Sequence, residues 1–378
     1  MEIALITKNF APIRGGAERY GYNLAQEMAQ MGHNIHVFCN HFEVPIHPAI
    51  RHHPVKKWRK PFKAKSYIDN IRQVLVRNDF SVVYSIVPYY PADVYRAGDG
   101  VHLHWTHLNH PNPLKRAICQ FLPGKWSTLA IERQIYDPSG NYKFFITNSN
   151  LVKGHIQRYY QIAPERIHVI YNGVDHETFH PGEKSHRNGW LQSKGIPSSS
   201  LVILFVGNNW ERKGLKTLLR GARKWLLAQK AVLVVIGRGK PKKWTHLLNR
   251  LGISSQVYFV GQTQDVTSWY RASDVLALPT LYDPFANVTL EAMASGVPAI
   301  TTAENGASEI IRNGENGYVL ARSDDAQSLQ EFLGSLMEGS LRANMAQKAL
   351  ETAQGFTLRK NAQETLSVLE KAAISRIS

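Results

Sequence analysis

Two carboxylates, two adjacent cations and a pair of glycines carry the densest chemistry in this 378-residue sequence. Asp283 and Glu291 lie in the run Leu281-Tyr-Asp-Pro-Phe-Ala-Asn-Val-Thr-Leu-Glu-Ala-Met-Ala-Ser-Gly-Val-Pro298. The run opens with an Asp-Pro turn, enters a helix over about 287–295 and stops at a Gly and Pro signal. A loop carboxylate and a helix carboxylate so spaced can grip two ends of one polyhydroxylated ligand, since each accepts hydrogen bonds from neighbouring hydroxyls. A turn former and a surface charge would look the same. Arg212 and Lys213 end the segment Gly207-Asn-Asn-Trp-Glu-Arg-Lys-Gly214, just before a helix expected from about Gly214. Arg can bind two oxygens of a diphosphate and Lys acts as a point charge; a solvated basic turn has the same composition. Gly15 and Gly16 precede an amphipathic helix and permit close backbone approach, with free helix-terminal N–H groups suited to a phosphate or substrate oxygen. A tight strand-to-helix turn would use the same glycines. Asp99 and His102 suit proton handling or hydroxyl binding, although Asp-Gly is also an ordinary turn.

These residues need strands to carry them. Short apolar runs at 2–7, 34–38, 81–85, 144–147 and 167–170 alternate with helical stretches such as 18–31, whose apolar positions recur at three and four. The texture turns polar and Pro/Gly-punctuated over about 175–200, and the alternation resumes at 201–206, 231–236, 256–260 and 274–278. This pattern predicts two α/β domains, 1–180 and 181–378, each a doubly wound parallel sheet. The last helical stretch, 358–374, can pack on either. Ligands of such sheets bind beyond the carboxyl ends of the strands, which makes a cleft between the domains the expected site.

The net charge of +16 points to an anionic partner: a nucleotide, a nucleic acid or an acidic membrane surface. The two cysteines, Cys39 and Cys119, have no metal-ligand spacing and indicate a reducing compartment. No apolar run approaches the roughly 20 residues that span a bilayer, and the start lacks a secretory pattern. The expectation is a cytoplasmic protein, peripheral on the cytoplasmic face of the inner membrane.

Together the segments resemble glycosyltransferase family 4, retaining enzymes of GT-B architecture, over nearly the whole chain. The likeness is densest at Gly15-Gly16, Asn172-Gly-Val-Asp175, Gly207 to Gly214 and Asp283 to Pro298. The family signature is E-x7-E followed by A-x-A-x-G-x-P. Here Asp283 replaces the first Glu, and Glu291-Ala-Met-Ala-Ser-Gly-Val-Pro298 is intact. Tyr282-Asp-Pro-Phe-Ala-Asn287 and Tyr95-Arg-Ala-Gly-Asp-Gly-Val-His102 are similar to the lipopolysaccharide-core glucosyltransferase subgroup. The resemblance implies a retaining hexosyltransferase that uses a nucleotide diphosphate sugar, UDP-glucose by subgroup, with a glycan or lipid-linked saccharide as acceptor. It further implies that Gly15 and Gly16 approach the donor and that Arg212 and Lys213 neutralise the leaving diphosphate, with no metal or other cofactor required. Glu291 would hold the ribose; Asp283, with the amides of Phe285, Ala286, Asn287 and Val288, would bind the transferred sugar. Asp99 falls at the acceptor-side acidic position, with His102 as the alternative.

One basic run stands apart. Lys56, Lys57, Arg59, Lys60, Lys63 and Lys65 interleave with Trp58 and Phe62. Each cation near an anionic bilayer contributes about 1 kcal/mol, and aromatic rings settle at the interface, so this segment is expected to dock on the inner-membrane surface. Two rival readings remain at this stage. A nucleic-acid-binding protein would share the charge and aromatic pattern, but it shows no module motif and leaves Glu291, Arg212 and Lys213 unexplained. An inactive peripheral membrane scaffold would keep the fold without turnover.

Overall fold

The structure, a computed structural model, describes residues 1–12, 16–43, 47–55, 71, 75, 79–88, 92–110, 112–114, 123–140 and 142–377. The chain forms two units, Met1–Gly173 with Leu358–Ser378, and Val174–Thr357.

The first unit is built on strands β1 (Glu2–Ile6), β3 (Asn34–Cys39), β5 (Ile50–Pro54), β6 (Val82–Ser85), β7 (Val94–Arg96), β8 (Phe144–Thr147) and β9 (Ile167–Val169). They lie in the order β5-β3-β1-β6-β7-β8-β9, and β2 (Asn9–Phe10) pairs separately with β4 (His41–Phe42). Every pairing is parallel. Alternation along β1 divides the core between two faces. Ile3 and Leu5 join Leu24, Ala25 and Met28 of the helix Gly16–Gln30. Ala4 and Ile6 join Val152 and Ile156 of the helix Asn150–Tyr160.

The second unit carries β10 (Leu201–Val206), β11 (Ala231–Ile236), β12 (Val257–Gly261), β13 (Val275–Leu278), β14 (Ala299–Thr302) and β15 (Gly317–Leu320). Their order is β12-β11-β10-β13-β14-β15, again all parallel. Both β10 and β11 are buried along their whole length. That is why they read as continuous apolar runs, the signature of strands covered on both faces.

Two details differ from the 1–180 and 181–378 division expected from the sequence. Residues 174–180 are tied to the second unit: Val174 N donates to Phe356 O at 3.0 Å, and Phe179 meets Tyr270 edge-on at 5.8 Å. The C-terminal helix Leu358–Ile377 belongs to the first unit. Its Leu366, Val368, Leu369 and Ala372 enter the core beside β1, and Lys143 Nζ donates to Ala372 O at 2.9 Å. Loop polarity marks where strands stop, but only packing decides which unit a linking segment joins. Among the described residues no helix is long and apolar enough to cross a membrane.

Candidate active site

In the second unit the candidate residues gather at the carboxyl ends of β10 and β13, where doubly wound sheets bind ligands. After β10 the chain turns through Gly207–Gly214 into the helix Leu215–Gly221. Gly214 sets this geometry. Its φ is +85°, and a Cβ there would lie 1.9 Å from the carbonyl oxygen of Pro279, so the turn can close against the end of β13 only with glycine. The two loops are then stitched by backbone bonds. Leu281 N donates to Arg212 O at 2.8 Å and Thr280 Oγ1 to the same oxygen at 3.1 Å.

This contact brings the predicted cations onto the predicted acid. Lys213 Nζ donates to Asp283 Oδ2 at 2.5 Å, and Arg212 Nη1 reaches the same oxygen at 3.4 Å and Tyr282 O at 2.8 Å. Lys213 and Asp283 are 8% and 7% exposed, so the pair interacts in a poorly solvated setting. Such burial is costly for either charge alone. The sequence reading assigned Asp283 to the transferred sugar. In the structure its Oδ2 is engaged by the cations, which makes it the counterion that holds Lys213 and Arg212 in place.

The same loop is fixed from its other side by Asn305, a fully buried side chain that the sequence reading missed. Asn305 Oδ1 accepts from Ala286 N at 3.0 Å and Ala307 N at 3.1 Å, while Nδ2 donates to Thr301 Oγ1 at 2.9 Å. Asp283 N donates to Glu304 O and Gly306 N to Asp283 O, both at 2.9 Å. The Ala286 amide, expected to face the sugar, is therefore already spent on Asn305. Phe285 and Ala286 are buried, and Val288 packs on the core. Asn287 begins the helix Asn287–Ala294.

Glu291 sits on that helix, half-buried, and accepts from Tyr270 Oη at 2.9 Å. Tyr270 is wholly buried on the helix Val266–Ala272. Its hydroxyl fixes the carboxylate's orientation. No local motif announces Tyr270, because an aromatic residue in an amphipathic helix reads as core.

The first unit carries the acceptor-side candidates. Asp99 is exposed in the turn after β7, where Gly100 N donates to Ala97 O at 3.2 Å. His102 starts the helix His102–Asn109. The buried carboxylate of Glu132 caps this helix: it accepts from His102 N at 2.5 Å and Leu103 N at 3.0 Å, and from Tyr160 Oη at 2.5 Å. A carboxylate at a helix start satisfies free N–H groups and complements the helix dipole. Sequence reasoning missed Glu132 because it comes from a separate helix, Pro123–Ile135. Burial, then the Asp99 and Glu132 charges, push the Tyr95 phenol up, so it remains protonated beside this turn. Gly16 is the exposed first residue of its helix. Gly15 and the basic run Lys56, Lys57, Trp58, Arg59, Lys60, Phe62, Lys63 and Lys65 lie outside the described residues.

Comparison with known proteins agrees with this architecture. Residues 14–178 match the family described as Glycosyltransferase Family 4, and residues 187–352 match Glycosyl transferases group 1. The lipopolysaccharide glucosyltransferase WaaG of Escherichia coli K12 is 25% identical over 384 residues, covering 99% of this chain and 98% of that protein. D-inositol 3-phosphate glycosyltransferase 1 of Catenulispora acidiphila is 31% identical over 227 residues, and this match spans only about half its length, 53%. Among solved structures, WaaG superposes with a TM-score of 0.83 at 23% identity, covering 97% of this chain and 99% of that one. Anabaena Alr3699/HepE, solved with UDP and glucose, gives 0.74 at 18% identity, covering 98% and 99%. With one match on each half and the whole-length likeness in fold, the chain belongs to glycosyltransferase family 4 and has the GT-B fold.

Proposed function

We propose that this glycosyltransferase is a retaining hexosyltransferase, moving glucose from UDP-glucose to a glycan or lipid-linked acceptor in lipopolysaccharide-core or other cell-surface polysaccharide synthesis. The observation that carries this reading is the Arg212–Lys213 pair, Lys213 buried and Arg212 half-buried against Asp283 at the carboxyl end of β10. Preorganised cations in a water-poor site stabilise the charge that develops on a departing diphosphate, with no reorganisation at the moment of reaction. In this reading they replace the work of a metal ion. Glu291, oriented by Tyr270, accepts from the ribose hydroxyls. Asp283 holds the cations and, through its loop, the sugar pocket. Asp99, with His102 as the alternative, faces the acceptor hydroxyl. The leaving phosphate takes the acceptor's proton as the new bond forms on the same face of the sugar, so no protein nucleophile is required.

Support for the donor and pathway comes from relatives: WaaG is named a lipopolysaccharide glucosyltransferase and Alr3699/HepE was solved with UDP and glucose. The 55–65 run would dock the protein on the cytoplasmic leaflet, where a lipid-linked acceptor waits. Co-sedimentation with neutral and anionic vesicles tests that part, and equal binding to both sinks it. The central test is a thermal-shift panel of nucleotide sugars followed by turnover with the strongest ligand. Glu291→Ala and Lys213→Ala should abolish transfer in folded protein. Near-normal turnover in both variants overturns the site.

A further inference from the structure

Arg96 is a buried charge that the proposed reaction does not use. It ends β7 and is 3% exposed. Lys213, by contrast, has Asp283 beside it at 2.5 Å, and Arg187 has Asp274 at 2.7 Å. Arg96 forms no ion pair among the described residues. Its Nη2 donates to the amide oxygen of Asn172, and its guanidinium lies 3.8 Å from the centre of the Tyr20 ring. Its Nη1 is buried without a hydrogen-bond partner. Asn172 and an aromatic face are both neutral, and a guanidinium cannot shed its proton to escape the cost of burial.

Two more polar atoms share this condition. The hydroxyls of Tyr20 and of Tyr84, on the adjacent strand β6, are also buried without a hydrogen bond of good geometry, their polar neighbours being each other and Arg96. Tyr84 is fully buried. Burial first, and then Tyr20, push its phenol well up against the opposing effect of Arg96, so it stays a donor. One guanidinium nitrogen and two hydroxyls thus gather near the carboxyl ends of β6 and β7, the side on which such sheets receive ligands. An oxyanion satisfies all three: it supplies the missing negative charge, takes the free Nη1–H and accepts from both hydroxyls.

We propose that Arg96, Tyr20 and Tyr84 form an oxyanion site in the first unit that takes a phosphate or carboxylate group. Assigning that group to the saccharide acceptor rests on the proposed transfer reaction; the site itself does not.

The test uses the full chain carrying Arg212→Ala and Lys213→Ala, so that the second unit's cation pair does not mask the result. Its melting temperature is followed against inorganic phosphate and, separately, acetate at constant ionic strength. One of the two should raise it, and the effective anion identifies the ligand group. Adding Arg96→Met should weaken the response at least tenfold and, without anion, leave the protein no less stable, because an uncompensated buried charge is gone. Tyr84→Phe, a milder change, should weaken the response several-fold in folded protein. A parent that responds to neither anion, or an Arg96→Met or Tyr84→Phe variant that responds like the parent, overturns the proposal. Absent nucleotide-sugar turnover by the unsubstituted chain, with the anion response of the test chain intact, would instead count against the transfer reaction alone.

Discussion

The Lys213–Asp283 contact permits a quantitative test of how the site is held. Asp283→Asn keeps the shape of the side chain and removes its charge, leaving the Lys213 ammonium 8% exposed without its acid. Removing one partner of a buried pair costs about 3–5 kcal/mol, and the retained amide oxygen places this change at the lower end, about 3 kcal/mol. Lys213→Met is milder because Arg212 still reaches Asp283 Oδ2 at 3.4 Å; the loss of one charged hydrogen bond is worth about 2 kcal/mol. The double variant removes both charges, so its cost should fall short of the sum by about 1–3 kcal/mol. Urea unfolding followed by tryptophan fluorescence suits the measurement, since Trp210 lies within the 207–214 turn and packs 5.2 Å from Phe259 in the same unit. Additivity within about 0.5 kcal/mol would show that the two side chains do not depend on each other. The account of Asp283 as the counterion of the cation pair would then be wrong.

Three further outcomes follow from the geometry. Asn305→Ala strands the Ala286 and Ala307 amides and should cost about 2–4 kcal/mol; chemical denaturation reads this, and a loss under about 1 kcal/mol would count against its hub role. Gly214→Ala places a Cβ 1.9 Å from Pro279 O at a φ of +85° and should destabilise the second unit by more than about 3 kcal/mol, with an unchanged unfolding midpoint as the refuting result. Burial, and then the charges of His36, His52 and Arg51, hold the His53 imidazole below its ordinary 6.5. The unfolded chain therefore binds the proton more readily, and stability present above about pH 6.5 is lost as pH falls towards the folded value. His53→Gln should flatten that decline in urea midpoints, and an unaltered pH slope would refute the assignment.

How much was legible beforehand can be judged from particular residues. The run at 201–206 announced a strand buried on both faces because burial on two sides leaves no polar position, and β10 has that form. Glu291 and the 287–295 helix were readable because turn and stop signals are local. The 281–298 run draws attention to Asp283, but its contact with Lys213 was not legible, since Lys213 stands 70 positions away. Glu132 gave no signal, because the carboxylate that caps the helix starting at His102 comes from a separate helix. Asn305 and Tyr270 were equally silent. Each is an ordinary residue until a fold places a donor or acceptor beside it.

By itself, then, the sequence determined the alternation of strands and helices, two parallel-sheet units and the motif residues of a family 4 glycosyltransferase. All of these rest on interactions within a few residues or on the period of apolar side chains. Tertiary structure decided which charges meet. It set Lys213 and Arg212 on Asp283, tied the 283–287 loop to Asn305, gave the last helix to the first unit, and left Arg96 buried with neutral neighbours. The physical reason is common to all four: desolvation and ion pairing depend on distance in space, and only the folded chain fixes that distance.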